Sequence, residues 1–527
     1  MKTDVLVIGS GPAGMQAAIS ARDEGARVTI VERDWQLGGI LNQCIHHGFG
    51  VHFFRENLTG TQFAERLRED LKGIEIRLNT MVLEVKEDSV VVASGEGVEE
   101  IEYKSLVLAM GCRERSRDSL GIPGSRPAGV YTAGQVQRLI NIEGYLPGKE
   151  IVILGSGDVG LIMARRLALE GCNVKCVVEI KPFPGGLMRN VVQCLDDFNI
   201  PLLLNHTVTR IIGKERVEGV EMCEVDSSLR PTGRREIVAC DTLLLSVGLI
   251  PENDLVGGLV EIDPVSGGPL INQHFQTSNE RIFACGNALH VNDLVDNVAR
   301  EASIAGKSAA LYALGRLQSD GKRRRVIGGN GIASVVPQYV DGVSNVRFYM
   351  RAQEPRKDVN LRVRGTEIKF FKRFIRPAES IVVNLAGNRM EGLDEIVFEI
   401  EEEKSETEER PLKTYVCTLC PIGCEISLLE GGRIKGYQCK RGLEFVEQEE
   451  KEPMRILTTT VYVKDGELRM LSVRSAAEIR KEDMQEAMQE AAKILVDAPV
   501  KEGQEIFVFK GVPFIATRSI EKSTSMH

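Results

Sequence analysis

Apolar residues enter this chain as a short unbroken run, Val5-Leu6-Val7-Ile8, closed by glycines, and the same pattern returns at Ile151-Val152-Ile153-Leu154. Such a run between turn residues predicts a strand buried on both faces, as in a parallel sheet. Each run leads into a helix-compatible stretch and then a second strand that ends in an acid, Val28-Thr29-Ile30-Val31-Glu32 and Val174-Lys175-Cys176-Val177-Val178-Glu179. Two βαβ units are therefore predicted. Between them the pattern predicts a helix near Gln62 to Leu71, a strand pair around Ile74 to Val92, a hairpin joining Val90-Val91-Val92 to Ile101–Tyr103, and a strand Leu106-Val107-Leu108-Ala109 ending at Met110-Gly111. Thr242-Leu243-Leu244-Leu245-Ser246 closes at Val247-Gly248 in the same way, and Arg281 to Asn287 predicts a strand and turn before a helix from about Asp296 to Leu314.

The turns that follow the two apolar runs carry the chemistry: Gly9-Ser10-Gly11-Pro12-Ala13-Gly14 and Gly155-Ser156-Gly157-Asp158-Val159-Gly160. Glycines in this pattern allow a tight turn and let backbone N–H groups at a helix N-terminus approach a pyrophosphate, while the acid at the end of the second strand accepts a ribose diol. One such motif is weak evidence. Two in one chain point to two dinucleotides and to electron transfer between them.

The simplest architecture is α/β: a first dinucleotide domain in two pieces, 1–114 and 246–325, interrupted by a second, 115–245. Short strands rich in Val, Ile and Phe then predict a small β-rich domain over 326–400, serving as a docking or dimer surface. An acidic linker at 401–411 leads to a cysteine-bearing α+β domain, 412–527. The chain has 527 residues, with 43% hydrophobic and 27% charged, ordinary for a globular protein of several domains. No apolar run reaches the length of about 18 residues that spans a bilayer, so no membrane insertion is expected. The formal net charge of −9 argues against nucleic acid as a partner, and the basic run Lys322-Arg323-Arg324-Arg325 is taken as a solvated linker. Met1 to Asp4 leads straight into the first strand without a signal peptide, so a cytoplasmic protein is expected. Of twelve cysteines, eight are scattered through apolar segments and suit core thiols of a reducing compartment.

At these motifs residues 1 to 320 resemble the two-dinucleotide-binding flavoproteins, the superfamily that includes the pyridine nucleotide-disulfide oxidoreductases. The resemblance implies FAD at the first fingerprint, held by Gly9, Gly11, Pro12, Ala13, Gly14, Glu32 and Arg33, with Gly38, Gly39, Ile40, Val82, Ala109, Gly111, Gly286 and Asn287 also around it. Asn287 stands where the family usually has Asp. It implies NAD(H) at Gly155, Gly157, Asp158, Val159, Gly160 and Glu179, an acid that disfavours the 2′-phosphate of NADP. By the same analogy, the N-terminus of the helix after Asn287 would face the flavin pyrimidine. The stretches Gly38 to Gly50 and Gly129 to Gln137 resemble the NAD/FAD oxidoreductases associated with anaerobic glycerol-3-phosphate dehydrogenases, and the tail from about 412 resembles a four-cysteine domain of unknown function that accompanies them. That association implies a partner dehydrogenase or electron carrier; a homo-oligomer is also open.

Four cysteines stand apart, Cys417, Cys420, Cys424 and Cys439, with spacing C-x2-C-x3-C-x14-C. Four thiolates can enclose one metal centre, and both iron–sulfur and zinc accept them. Similarity to the N-terminal cluster segment of molybdopterin oxidoreductases favours [4Fe–4S], with zinc and an unmetallated group as alternatives. A second redox endpoint is Cys44, twelve residues past Glu32, yet residues 1–320 contain no C-x4-C or C-x2-C pair to complete a disulfide. His46 and His47 are candidate proton donors near the flavin. The expectation is an NAD(H)-linked FAD oxidoreductase that exchanges electrons with a C-terminal iron–sulfur centre or a partner. Two alternatives stay open: a disulfide, persulfide or peroxide reductase using Cys44, and a flavoprotein whose zinc-stabilised tail recruits a partner.

Overall fold

The computed structural model describes residues 1–318, 323–341, 344–402 and 410–523. Strand Lys2–Ile8 lies between Val28–Val31 and Gly97–Leu108, parallel to both, with Val5 opposite Val28 and Val7 opposite Val107. Glu75–Arg77 extends one edge, the antiparallel strands Ser89–Ser94 and Met81–Val85 extend the other, and Ile282–Ala284 adds in parallel to Gly97–Leu108. Helices Pro12–Asp23 and Val295–Ala313 cross closely on one face. A Cβ on Gly306 would lie 2.0 Å from the Ala17 carbonyl oxygen, so the crossing requires glycine there.

The second sheet is parallel, in the order Val130–Thr132, Thr242–Leu245, Glu150–Leu154, Asn173–Val178, Leu202–Leu203. It is joined to the first by two passages of chain, Cys112–Glu114 and Leu249–Pro251, which pair antiparallel. The predicted strands and helices are present; the helix expected near Gln62 runs Gly60–Glu69 and the one expected from about Asp296 runs Val295–Ala313.

The β-rich region forms a mixed five-stranded sheet and a three-stranded antiparallel one, closed on Phe348 and Phe398 with ring centroids 4.9 Å apart. Part of this region, expected to be a docking or dimer surface, is spent on contacts within the chain. Val336 and Tyr349 belong to the core of the first dinucleotide domain, and Arg351 pairs with Asp293 at 3.0 Å while donating to the Val291 carbonyl at 2.9 Å. This region is thus seated on the loop that precedes helix Val295–Ala313. Arg324 and Arg325 begin strand Arg324–Gly328, so they are not linker. Lys322 and residues 403–409 of the acidic run lie outside the described residues.

The tail has two cores. Strands Lys413–Val416, Glu425–Leu428 and Ile434–Lys435 with helix Lys440–Lys451 enclose Tyr415, Cys417, Ile426, Phe445 and Val446. The five-stranded terminal sheet, Leu495–Asp497, Thr458–Lys464, Met470–Ser475, Val512–Ala516, Glu505–Phe509, shares its core with Ile142 and Leu169. Buried Arg166 donates across that junction to the Thr459 and Thr460 hydroxyls at 3.1 and 3.0 Å. On the other side Thr61 bonds Thr517 at 2.9 Å, and Arg518 reaches Gln36 at 3.0 Å and the Asn42 carbonyl at 3.3 Å. The terminal sheet therefore grips both dinucleotide domains.

Candidate active site

The first fingerprint is locked by one carboxylate. Glu32 Oε2 accepts from the Ser10 N–H at 2.8 Å and the Ser10 hydroxyl at 2.7 Å, and Oε1 accepts from the Asp34 N–H at 2.8 Å. A carboxylate has about four acceptor positions, so roughly one stays open for a ribose hydroxyl. Gly9 sits at φ +97°, and a Cβ on Gly14 would lie 1.8 Å from the Gly9 carbonyl. Above Gly11 a Cβ would meet nothing within 4 Å. Open space over a glycine at the start of a helix is what a pyrophosphate needs.

Of the other residues assigned to this site, Gly38 donates to the Ser10 carbonyl at 2.9 Å, and Gly39 packs against Gly11. Val82 and Ala109 are buried, while Arg33 and Ile40 are exposed. Gly111 and Gly286 take φ of +74° and +65°. Asn287 is already engaged: its Nδ2 donates to Cys112 Sγ at 3.5 Å and its Oδ1 accepts the Asn292 N–H at 2.9 Å. The helix expected to aim its positive end at the flavin carries Asp296 in its first turn, whose carboxylate accepts N–H bonds from Gly50, His52 and Phe53 at 3.1, 2.8 and 2.7 Å. An acid in the first turn answers the helix dipole.

The second fingerprint repeats the lock. Glu179 Oε2 accepts from the Ser156 N–H at 3.0 Å and from its hydroxyl, and Oε1 from the Lys181 N–H at 3.0 Å. Here Gly185 and Gly186 fold back onto the turn: Gly185 donates to Ser156 Oγ at 2.7 Å. Asp158 turns its side chain away from the turn, accepting from the Leu187 N–H at 2.8 Å and Asn190 Nδ2 at 2.7 Å. Its backbone, with Gly157, Val159 and Gly160, starts helix Asp158–Leu169. The Gly160 N–H is capped by Ser246 Oγ at 3.0 Å. The glycine pair was not singled out from sequence. The signal for it is there, because Gly38-Gly39 and Gly185-Gly186 both begin six residues after their acid.

Between the two fingerprints in sequence lie Cys44, His46 and His47. Cys44 Sγ is 3.8 Å from Gln137 Oε1, its sole described polar partner. Cys44 is half-buried, and desolvation pushes its thiol up to about 12, which favours the protonated form over the thiolate. His46 is pushed down to about 3 by burial, then by Arg189 and Arg165, and His47 well below its ordinary value for the same reasons. Both imidazoles are neutral at neutral pH, and their buried Nδ1 atoms have no partner. Arg189, on helix Met188–Cys194, donates to the His47 carbonyl at 3.3 Å and lies against Gly48. No sequence pattern singled it out.

Cys417 is buried, Cys420 and Cys424 are half-buried, and Cys439 is exposed at the N-cap of helix Lys440–Lys451. The four form one electrostatic neighbourhood: Cys417 feels the other three, and its thiol is pushed up to about 11, chiefly by burial. The Leu419 N–H points to Cys417 and the Gln438 N–H to Cys424, donors that favour thiolate. Among the described residues no three His, Cys, Asp or Glu side chains are gathered tightly enough to hold a metal ion as they stand.

Residues 3–309 match the family described as pyridine nucleotide-disulphide oxidoreductase, and the chain belongs to that family: it is a flavin-dependent pyridine-nucleotide oxidoreductase. The family implies FAD and NAD(P)H, and the open turn at Gly11 and the spare acceptor on each acid fit them. Residues 440–518 match a second family, DUF1667, described as a protein of unknown function. That span begins one residue past Cys439, so the four cysteines fall outside it.

The chain is 28% identical over 284 residues to the hydrogen cyanide synthase subunit HcnB of Pseudomonas protegens, covering 48% of this chain and 58% of that one. It is 28% identical over 319 residues to the thioredoxin reductase of Mycolicibacterium smegmatis, covering 59% and 94%. The glutamate synthase [NADPH] small chain of Halomonas elongata is 26% identical over 343 residues, covering 58% and 67%. Among solved structures, thioredoxin reductase of T. acidophilum aligns with a TM-score of 0.48 at 22% identity, covering 60% of this chain and 99% of that one. No described helix is long and apolar enough to cross a membrane.

Proposed function

We propose that this chain is an NAD(H)-linked FAD oxidoreductase passing electrons between nicotinamide, flavin and either an iron–sulfur centre at Cys417, Cys420, Cys424 and Cys439 or a partner dehydrogenase. The observation that carries the reading is the twofold Ser–Glu lock, at Ser10–Glu32 and Ser156–Glu179. When bound, the two nucleotides supply hydride exchange between nicotinamide and flavin. The protein positions rings and tunes their surroundings. Gly9, Gly11 and Gly14 would hold the FAD pyrophosphate and Glu32 its ribose; Gly155, Gly157 and Gly160 with Glu179 would hold NAD(H). Glu179 is fixed as an acceptor by its own hydrogen bonds, which favours a ribose hydroxyl over a 2′-phosphate.

Cys44 is the weaker endpoint, being half-buried, with its thiol held toward the protonated form by desolvation, and without a partner thiol nearby in sequence. The exit toward a partner draws support from relatives whose names make them subunits or chains of larger enzymes, the cyanide synthase subunit and the glutamate synthase small chain. Resemblance to the proteins that accompany anaerobic glycerol-3-phosphate dehydrogenases names the first dehydrogenase to try. The test is anaerobic purification with cofactor extraction, metal analysis and stopped-flow reduction. One FAD per chain, bleached by NADH at least tenfold faster than by NADPH, is expected. Absence of FAD overturns the reading, and equal rates overturn the preference for NAD.

A further inference from the structure

Three parts of the chain meet at one small cavity of about 20 Å³. Its polar lining is His46 from the loop after Gln43, Gln137, Asn141, Arg165 and Arg166 from the second dinucleotide domain, and Thr458 at the start of terminal strand Thr458–Lys464. That volume admits one particle of about water size.

The lining is rich in donors whose acceptors are missing. Gln137 Oε1 already accepts from Gln43 Nε2 at 3.1 Å and from Cys44 Sγ at 3.8 Å, and Asn141 Oδ1 accepts from Arg166 Nε at 3.1 Å. Left without partners among the described residues are the Gln137 amide nitrogen, the Thr458 hydroxyl and the buried His46 Nδ1. The amide nitrogen only donates, and the other two can donate.

Charge points the same way. Arg166 is paired with Glu170 at 2.7 Å, whereas Arg165, half-buried, makes no ion pair among the described residues. Its bonds go to the Ile456 carbonyl at 3.4 Å and to Met484 Sδ at 3.7 Å. Asp197 lies in its field, but that carboxylate is shared by Arg455 at 2.7 Å and Lys481 at 3.0 Å. A partly desolvated guanidinium among further donors favours a negative partner. Water supplies no charge, and phosphate or carboxylate groups need more room than one water-sized particle.

We propose that this cavity is a binding site for one monatomic anion of the chloride class, held by Arg165 with the Gln137 amide, the Thr458 hydroxyl and His46. The ion would tie the loop that carries His46 to the second dinucleotide domain and to the terminal sheet at a single point. An anion bound there in the folded chain and released on unfolding stabilises the fold in proportion to its occupancy.

The test uses the full chain with FAD bound, at pH 8, where His46 is neutral, as wild type and as Arg165→Met. Crystals soaked in bromide are measured for anomalous scattering, and thermal unfolding is followed in sodium bromide, sodium chloride and sodium gluconate at equal ionic strength. Expected are one bromide peak inside the cavity of the wild type and an unfolding temperature that rises with either halide relative to gluconate. In Arg165→Met, halide binding should be weaker by about tenfold or more, as for loss of one charge-assisted hydrogen bond. A wild-type cavity that holds water or nothing overturns the inference. So does a peak of equal occupancy in Arg165→Met, and so does a peak without stabilisation by halide, which marks binding at crystal concentration only. If Arg165→Met fails to retain FAD, Thr458→Val decides: halide binding unchanged there refutes the assigned site.

Discussion

The two fingerprints share a Ser–Glu lock and a glycine pair six residues past the acid, and they differ in what walls the third glycine. At the first, a Cβ on Gly14 would strike the Gly9 carbonyl at 1.8 Å; at the second, a Cβ on Gly160 would meet the Ser246 side chain at 2.5 Å. Backbone oxygen walls the first turn and the Ser246 Cβ and hydroxyl wall the second, so the second wall can be removed by substitution and the first cannot.

Alanine substitutions probe this contrast most strongly. Gly14→Ala should destabilise by about 3 kcal/mol, the upper range for forcing atoms into a packed site, and yield protein without FAD. Gly160→Ala should cost about 1 kcal/mol, with Ser246→Gly in the same chain restoring stability, measured by thermal unfolding. Equal losses at both glycines would erase the distinction.

The enclosed His46 responds next, through pH. His46 has its folded pKa depressed to about 3, so its contribution is complete above the unfolded value of about 6.5 and erodes as pH falls, because the unfolded chain binds the proton first. Lowering pH from 7 to about 5 should cost about 2 kcal/mol from this group, and His46→Asn should flatten the dependence.

Glu179→Gln should raise the KM for NADH about tenfold, near 1.4 kcal/mol, with kcat held, whereas Glu32→Gln should show as lowered FAD content. A fall in kcat alone for Glu179→Gln would place the acid in the chemical step instead. Smallest of all, Cys44→Ser should change NADH-driven turnover less than about twofold, as expected for a conservative change at a packed site.

The parallel strands and the paired motifs were legible because glycine, apolar runs and terminal acids are local signals. What made the fingerprints work was less visible. Ser10 and Ser156 were the unremarked residues inside each motif, yet they tie down Glu32 and Glu179. Gly185-Gly186 carried a spacing signal that appears only when the two halves are laid side by side. Arg189, Asp296 and Arg518 had none, since their partners, the His47 carbonyl, the Gly50 to Phe53 amides and the Gln36 side chain, lie far away in sequence. The β-rich region read as a docking or dimer surface, and its pattern cannot show that Tyr349 enters a neighbouring core.

Arg166 offers a last point. Its guanidinium bonds Thr459 and Thr460 across the junction with the terminal sheet, more than 290 positions along one chain. Closing that junction is an intramolecular event, governed by an effective concentration of order mM and not by how much protein is present. Dilution into an assay therefore leaves the two nucleotide domains and the tail in fixed proportion. Any concentration dependence of turnover reports on a separate molecule.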